Sequence, residues 1–227
     1  IGYFEWFYRS QGADVGFGTN QAPSPDTSLR VHTYNSPIVM DLAHADAAIC
    51  PTRWQARQFP PAMRRHLSVI FDGVDTEKLP LVRQDARHHI LSIKAGDIQA
   101  TIPADVPLVT YVTRCFEPYR GWPQVAEGLA LLMQRNPRAH VLLVGSDEVA
   151  YGVKRGDNLS WREWALKEWP MDPSRLHQLP ALGYDDYKRV IKRSWVHVYW
   201  TVPFILSWRL IAEMDSGCCI VDRHTSP

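Results

Sequence analysis

What this chain lacks narrows it first. No window approaches the ~20 apolar residues that a membrane span requires. No basic stretch followed by an apolar run opens the chain, so no signal peptide is expected. An excess of one charge sign is missing: 25 Lys and Arg stand against 24 Asp and Glu, which gives no general reason to expect nucleic-acid binding. Cysteine is scarce. Its four copies, Cys50, Cys115, Cys218 and Cys219, form no C-x-x-C pair and fit no zinc-ligand spacing. Buried free thiols are the expectation, two of them adjacent in the strand-like run "CCIV", and that fits a reducing compartment. No internal repeat is visible, and no low-complexity tract exceeds the loop-like "GADVGFGTNQAPSPDTS" near the start.

What is present is an ordinary globular composition. The 227 residues are 45% hydrophobic, enough for one large or two modest domains. Nine tryptophans are many for this length; most are expected to pack, although a loop tryptophan can also face a sugar. The chain opens at Ile1 in "IGYFEWFYRS" and closes at "DRHTSP" after a strand-like run, so a fragment of a longer protein is expected.

Residues 29 to 75 read as alternating strand and helix, the pattern of a parallel α/β layer. "LRVHTY" reads as a short strand. A helix is expected to follow, with Ser36 as its cap and Pro37 in its first turn. "DAAICP" is a buried-strand candidate, Thr52 caps "RWQARQF", Pro60 and Pro61 stop that helix, and "LSVIFDGVD" is a strand ending in a glycine turn. Residues 76 to 107 break the rhythm and read as a connection, with "LSIKAGDIQATI" as a hairpin or a small extension. From Pro107 the alternation resumes. The expected strands are "LVTYVT", "HVLLVG", "RLHQLP", "VHVYW" and "CCIV". The expected helices run from Trp122 to Arg135, Ser160 to Glu168, Tyr184 to Arg193 and Leu206 to Ser216. Val125, Leu129, Leu132 and Met133 form one apolar stripe on the first of these. Continuous apolar strands imply helices on both sheet faces, and such sheets bind ligands beyond the carboxyl ends of their strands. That rule selects Arg114, Gly145-Ser146, Pro180-Ala181 and the loop from Thr201 to Ser207.

Two arginines stand out at that edge. Arg114 falls at the end of a strand, and Arg120 and Gly121 fall just before a helix. Forked guanidinium donors beside a helix N-terminus suit phosphate oxygens. The competing reading is a solvated Arg120 and an Arg114 paired with Glu117. Local sequence leaves the two level. Ser207 presents a similar choice, capping a helix or meeting a phosphate. Glu213 and Asp215 on that helix offer carboxylates to ribose hydroxyls, or to solvent and salt bridges.

The ordered set Asp72-Gly73-Val74-Asp75, Arg114 through Arg120-Gly121, "PRAHVLLVG", "LGYDDYKRV" and "VYW…PF.LSW.LI.EM.SGC" resembles the family 4 glycosyltransferases, of GT-B architecture. It is most similar to a bacterial subgroup with R-x-x-E-P-Y-R-G and P-F-x-L-S-W signatures, and the likeness runs from about Trp6 to the end. The resemblance implies an α/β fold of two Rossmann-like parallel-sheet domains facing a cleft, both incomplete here. Residues 1–80 would be the rear of the acceptor-side domain, 81–104 a connection, and 105–227 most of the nucleotide-sugar domain. It implies retaining, metal-independent transfer of a sugar from a nucleoside diphosphate sugar to a glycan or lipid-linked acceptor. No cofactor and no nucleic-acid partner are implied. The expected location is cytoplasmic, and the resemblance allows peripheral association at the inner membrane surface.

Carried over by position, Arg114 and Arg120 hold the donor diphosphate, and Gly121, Phe204, Ile205, Leu206 and Ser207 meet the donor. Glu213 would contact its ribose. The family's E-x7-E motif would place glutamates at Phe204 and Ala212, and neither is acidic; Glu213 stands one residue out of register. On a helix one residue turns a side chain by ~100°. His32 and His44 match no family role. Two alternatives stay open: a non-catalytic nucleotide- or glycan-binding module, and a GT-B-like epimerase or phosphorylase.

Overall fold

The computed structural model describes residues 2–3, 25–71, 73, 75, 77, 84–202 and 207–222. In the first part, strands β1 (Gly2–Tyr3), β2 (Ala48–Cys50) and β3 (Leu67–Val69) pair in parallel in that order. Between them lie helices α1 (Pro25–His44), α2 (Arg53–Gln58) and α3 (Pro61–Arg64). Thr52 caps α2 as expected, its hydroxyl accepting from the Gln55 N–H at 3.1 Å. Leu42, Ala48 and Phe59 form a small buried core.

Helix α1 corrects the expectation for this region. "LRVHTY" is helical, and Pro37 lies inside one 20-residue helix instead of opening a new one. The stronger start signal lies upstream: Pro25 begins the helix and Asp26 places an acid in its first turn.

The chain divides into two compact units, the second comprising Asp75–Thr201 and the stretch from Arg209. Its sheet has the order β10-β9-β6-β7-β8, all parallel. The strands are β6 (Leu108–Cys115), β7 (His140–Ser146), β8 (Leu176–Leu179), β9 (Val196–Tyr199) and β10 (Ile220–Asp222). The helices are α4 (Trp122–Arg135), α5 (Trp161–Glu168), α6 (Tyr184–Arg193) and α7 (Trp208–Asp215). The helices and β6 to β9 follow the sequence expectation closely, whereas the strand expected at "CCIV" begins two residues later, at Ile220. Ser160 closes a capping box with Glu163 at the start of α5, and α7 begins at Trp208.

Side chains alternate across this sheet, as a period of two demands. On one face Leu108, Val112, Leu142 and Val144 join Val190 and Ile191 of α6. On the other, Val109, Tyr111, Val141 and Leu143 join Trp122, Val125, Ala126 and Leu129 of α4. Burying each large apolar side chain contributes about 1.5–3 kcal/mol. The hairpin, β4 (Leu91–Ala95) and β5 (Ile98–Ile102), is antiparallel and covers the α6 face with Leu91, Ile93, Ala100 and Ile102. It belongs to the second unit, and buried Arg193 ties down its base. That guanidinium donates to the carbonyls of His89 (2.6 Å), Pro103 (2.7 Å) and Val106 (3.0 Å).

The cysteines are free. Cys50, Cys115 and Cys218 are buried as expected, but Cys219 is exposed and both 218 and 219 precede β10. Among the described residues, no helix is long and apolar enough to cross a membrane.

Candidate functional site

The strand order locates a crevice. β6 comes first in sequence and sits in the middle; the chain winds outward to β7 and β8, then returns to lay β9 and β10 on the other side. The winding reverses between β6 and β9, and ligands of open α/β sheets bind at the carboxyl ends beside such a reversal. The segments at that point are the turn after β6 and the Trp200-Thr201 pair after β9.

The turn is tightly held. β6 shifts register between Val112 and Cys115, and the Phe116 N–H then bonds the Ser146 carbonyl at 3.0 Å. Pro118–Arg120 form a single 3-10 turn. The Glu117 carbonyl accepts from the N–H groups of Arg120 (3.0 Å) and Trp122 (3.3 Å). The Tyr111 hydroxyl donates to the Arg120 carbonyl at 2.6 Å and the Thr201 hydroxyl to that of Tyr119 at 2.9 Å. Burial pushes the Tyr111 phenol well above its ordinary range, so it stays a donor. Gly121 has φ +67°, and a Cβ there would stand 2.2 Å from Trp200 Cδ1. Only glycine meets both constraints.

Arg114 is exposed and its guanidinium makes no hydrogen bond or ion pair among the described residues. The pairing of Arg114 with Glu117 is therefore not what the fold builds. Glu117 is 0% exposed, and its Oε2 accepts from the N–H groups of Tyr151 (3.1 Å) and Gly152 (2.9 Å). Arg120 is half-buried, with its guanidinium carbon 5.2 Å from the centre of the Tyr151 ring. Both arginines thus stand at the carboxyl edge of β6. The start of α4 adds little for an anion: the Trp122 N–H is taken by Glu117, and Pro123 has none. Positive charge here comes from side chains.

The remaining expected residues fall elsewhere. Phe204, Ile205 and Leu206 lie outside the described residues, as do Asp72 and Val74; Ser207 directly precedes α7, half-buried. Glu213 is turned inward. It is 1% exposed, and its Oε1 accepts from the Tyr187 hydroxyl at 2.8 Å. His197 Nε2 lies 3.2 Å from the same oxygen, off the axis of a hydrogen bond. His197 Nδ1 meets the Thr110 hydroxyl at 2.8 Å, Thr110 meets Ser194 at 2.8 Å, and Ser194 donates to the Val196 carbonyl at 2.8 Å. A carbonyl only accepts, so the hydrogens run from Nδ1 through Thr110 and Ser194 to Val196, leaving the lone pair on Nε2. Burial holds the Glu213 carboxyl up at about 8 and the His197 imidazole down at about 3, so both are neutral near pH 6. The helix turns Glu213 into the core, where it joins α7 to β9 and α6 from inside. Sequence reasoning missed this cluster. Its one sequence signal is polar residues, Thr110, Ser194 and His197, interrupting or adjoining apolar strands.

It also missed Tyr151 and the loop that carries it. Asp147 at the end of β7 pairs with Arg162, whose guanidinium lies over the Phe116 ring at 5.0 Å. Among the described residues no group of three His, Cys, Asp or Glu side chains is arranged to hold a metal ion.

Comparison with known proteins places this geometry. A sequence profile described as the Glycosyl transferase family 4 group matches residues 1–79. No curated protein sequence matches the chain. Among solved structures, the Anabaena HepE in complex with UDP and glucose superposes with a TM-score of 0.60 at 15% identity, covering 97% of this chain and 51% of that one. Sucrose-phosphate synthase from Thermosynechococcus elongatus gives 0.59 at 20% identity, covering 97% and 49%. The catalytic domain of starch synthase IV from Arabidopsis thaliana, bound to ADP and acarbose, gives 0.52 at 11% identity, covering 83% and 41%. The chain spans about half the length of the first two. Its fold is that of the GT-B glycosyltransferases, an α/β fold with a five-stranded parallel sheet, represented here in part.

Proposed function

We propose that this chain is part of a glycosyltransferase that takes a sugar from a nucleoside diphosphate sugar, with Arg114 and Arg120 receiving the diphosphate. The observation that carries the reading is the exposed guanidinium of Arg114, unpaired among the described residues, at the carboxyl end of the central strand and on the same edge as Arg120. The chemistry follows from charge. As the glycosidic bond breaks, negative charge grows on the departing diphosphate, and fixed guanidinium groups stabilise it without reorganising. On the resemblance, the proposed transfer needs no metal and no cofactor and retains anomeric configuration, with the arginines taking the charge-stabilising part. The acceptor is a glycan or a lipid-linked sugar, and the setting is cytoplasmic, at the inner membrane surface where the acceptor is lipid-linked. Neighbouring folds support the donor class: two of the structures named above hold UDP and ADP respectively.

Glu213 is not assigned to the ribose in this reading. Its carboxyl is engaged by Tyr187 inside the unit. Gly121 serves the site through backbone shape, and the backbone of 204–207 remains assigned to the donor on the resemblance. Calorimetric titration of the chain with UDP and GDP tests the proposal. The expected result is measurable binding of one of them, lost in the Arg114→Ala/Arg120→Ala double variant. Unchanged affinity in that variant overturns it.

The missing acid at position 212 favours one second reading, a nucleotide-binding module without transferase activity. Donor hydrolysis or transfer by the chain within its full-length protein excludes that reading.

A further inference from the structure

We infer that Glu117 and Tyr151 are positioning residues for Arg120: the Glu117 carboxylate holds the 151–152 turn so that the Tyr151 ring backs the Arg120 guanidinium. The inference rests on the reading of Arg120 as a diphosphate ligand.

A fully buried carboxylate is costly unless its charge is met by donors. Among the described residues no cation pairs with Glu117, and its Oε1 has no hydrogen-bond partner. Instead, two consecutive backbone N–H groups, of Tyr151 and Gly152, converge on Oε2 at 3.1 and 2.9 Å. Such charge-assisted bonds to backbone are strong and directional. Gly152 suits the arrangement, because a Cβ there would stand 3.3 Å from the same Oε2. The Glu117 carbonyl meanwhile receives the N–H of Arg120 itself, at 3.0 Å. One residue therefore fixes both the backbone that carries the arginine and the loop that carries the ring. The ring lies 5.2 Å from the guanidinium carbon and 6.4 Å from the Tyr119 ring. A guanidinium held against an aromatic face has fewer orientations to lose when an anion arrives, which is preorganisation.

The test uses the 227-residue chain and two probes, inorganic pyrophosphate and UDP, titrated calorimetrically. Tyr151→Ala removes the ring from a side chain that is 41% exposed, so the fold is preserved. It is expected to weaken both probes by about 2- to 5-fold, the scale of an exposed cation–π contact. Tyr151→Phe keeps the ring and is expected to restore binding. Glu117→Ala is expected to weaken binding as Tyr151→Ala does, and the double variant to be no weaker than either single, because both act through one contact. Glu117→Gln retains an oxygen that accepts both N–H groups and is expected to rescue. If Tyr151→Ala binds like wild type while Arg120→Ala binds weakly, the positioning roles fail and the arginine reading stands. If Arg120→Ala also binds like wild type, the arginine reading itself fails. Should Glu117→Ala not fold, the Tyr151→Ala and Tyr151→Phe pair decides alone.

Discussion

Replacing Glu213 by glutamine removes an ionisation without removing an oxygen, and its effect on stability follows from the sign of two shifts. In the unfolded chain the carboxyl titrates near 4.5; in the folded protein burial raises it to about 8. Between those values the unfolded chain has released its proton and the folded protein has not. Wild-type stability from this group is therefore fully present below 4.5 and lost as pH rises through the folded value. That window spans roughly 3.5 pH units at about 1.4 kcal/mol each, an upper bound of about 5 kcal/mol. His197 slopes the opposite way. Burial lowers it from 6.5 to about 3, so its contribution is present above 6.5 and lost as pH falls toward 3. From 4.5 to 6.5 the two slopes cancel, and the pair gives a plateau with a falling limb on each side. In Glu213→Gln only the histidine limb remains. Urea unfolding followed by tryptophan fluorescence, which reports chiefly on the second unit, measures this at about pH 5 and about pH 8. The variant is expected to gain on wild type by a few kcal/mol between those two conditions. Every other titrating group is common to both proteins and cancels. A stability difference that stays constant with pH refutes the reasoning.

Gly121→Ala is expected to cost about 2 kcal/mol or more, from a left-handed backbone and the collision with Trp200, and to lower the melting temperature by several degrees; an unchanged melting temperature argues that the turn relaxes freely. Arg193→Met leaves three carbonyls without their donor, an expected loss of about 2–4 kcal/mol. Hydrogen exchange should show the β4–β5 amides losing protection first, and uniform protection would dissociate the hairpin from Arg193.

The second unit was legible because its strands are apolar runs and its helices carry stripes and caps. Trp122–Arg135 and Tyr184–Arg193 fall where the pattern placed them. The stretch from Leu29 to Ser36 misleads because β-branched and aromatic residues imitate a strand, while Pro37 imitates a helix start; the governing signal, Pro25 and Asp26, sits at the end of a Gly/Pro/Ser-rich tract that reads as loop. At the site, Arg114, Arg120 and Gly121 were visible as an unusual turn. Tyr151 was not, because it meets Arg120 only through the fold, 31 residues along the chain. Glu213 could be found but not oriented: its register offset was plain, and whether it faced crevice or core depended on Tyr187 and His197, which sequence spacing does not bring together.

The central place of β6 also sets an order of assembly. Pairing β6 with β7 joins groups 32 residues apart, as between Ser146 and Arg114, whereas pairing β6 with β9 joins Thr110 to His197 across 87. Closing the longer loop costs about 1 kcal/mol more in chain entropy. During synthesis the Arg114–Gly121 turn can form against β7 before β9 has been made. Trp200 and Thr201 then dock onto a turn already in place, so the crevice is completed only once β9 has been made, and a chain that stops before β9 would hold the turn without the crevice.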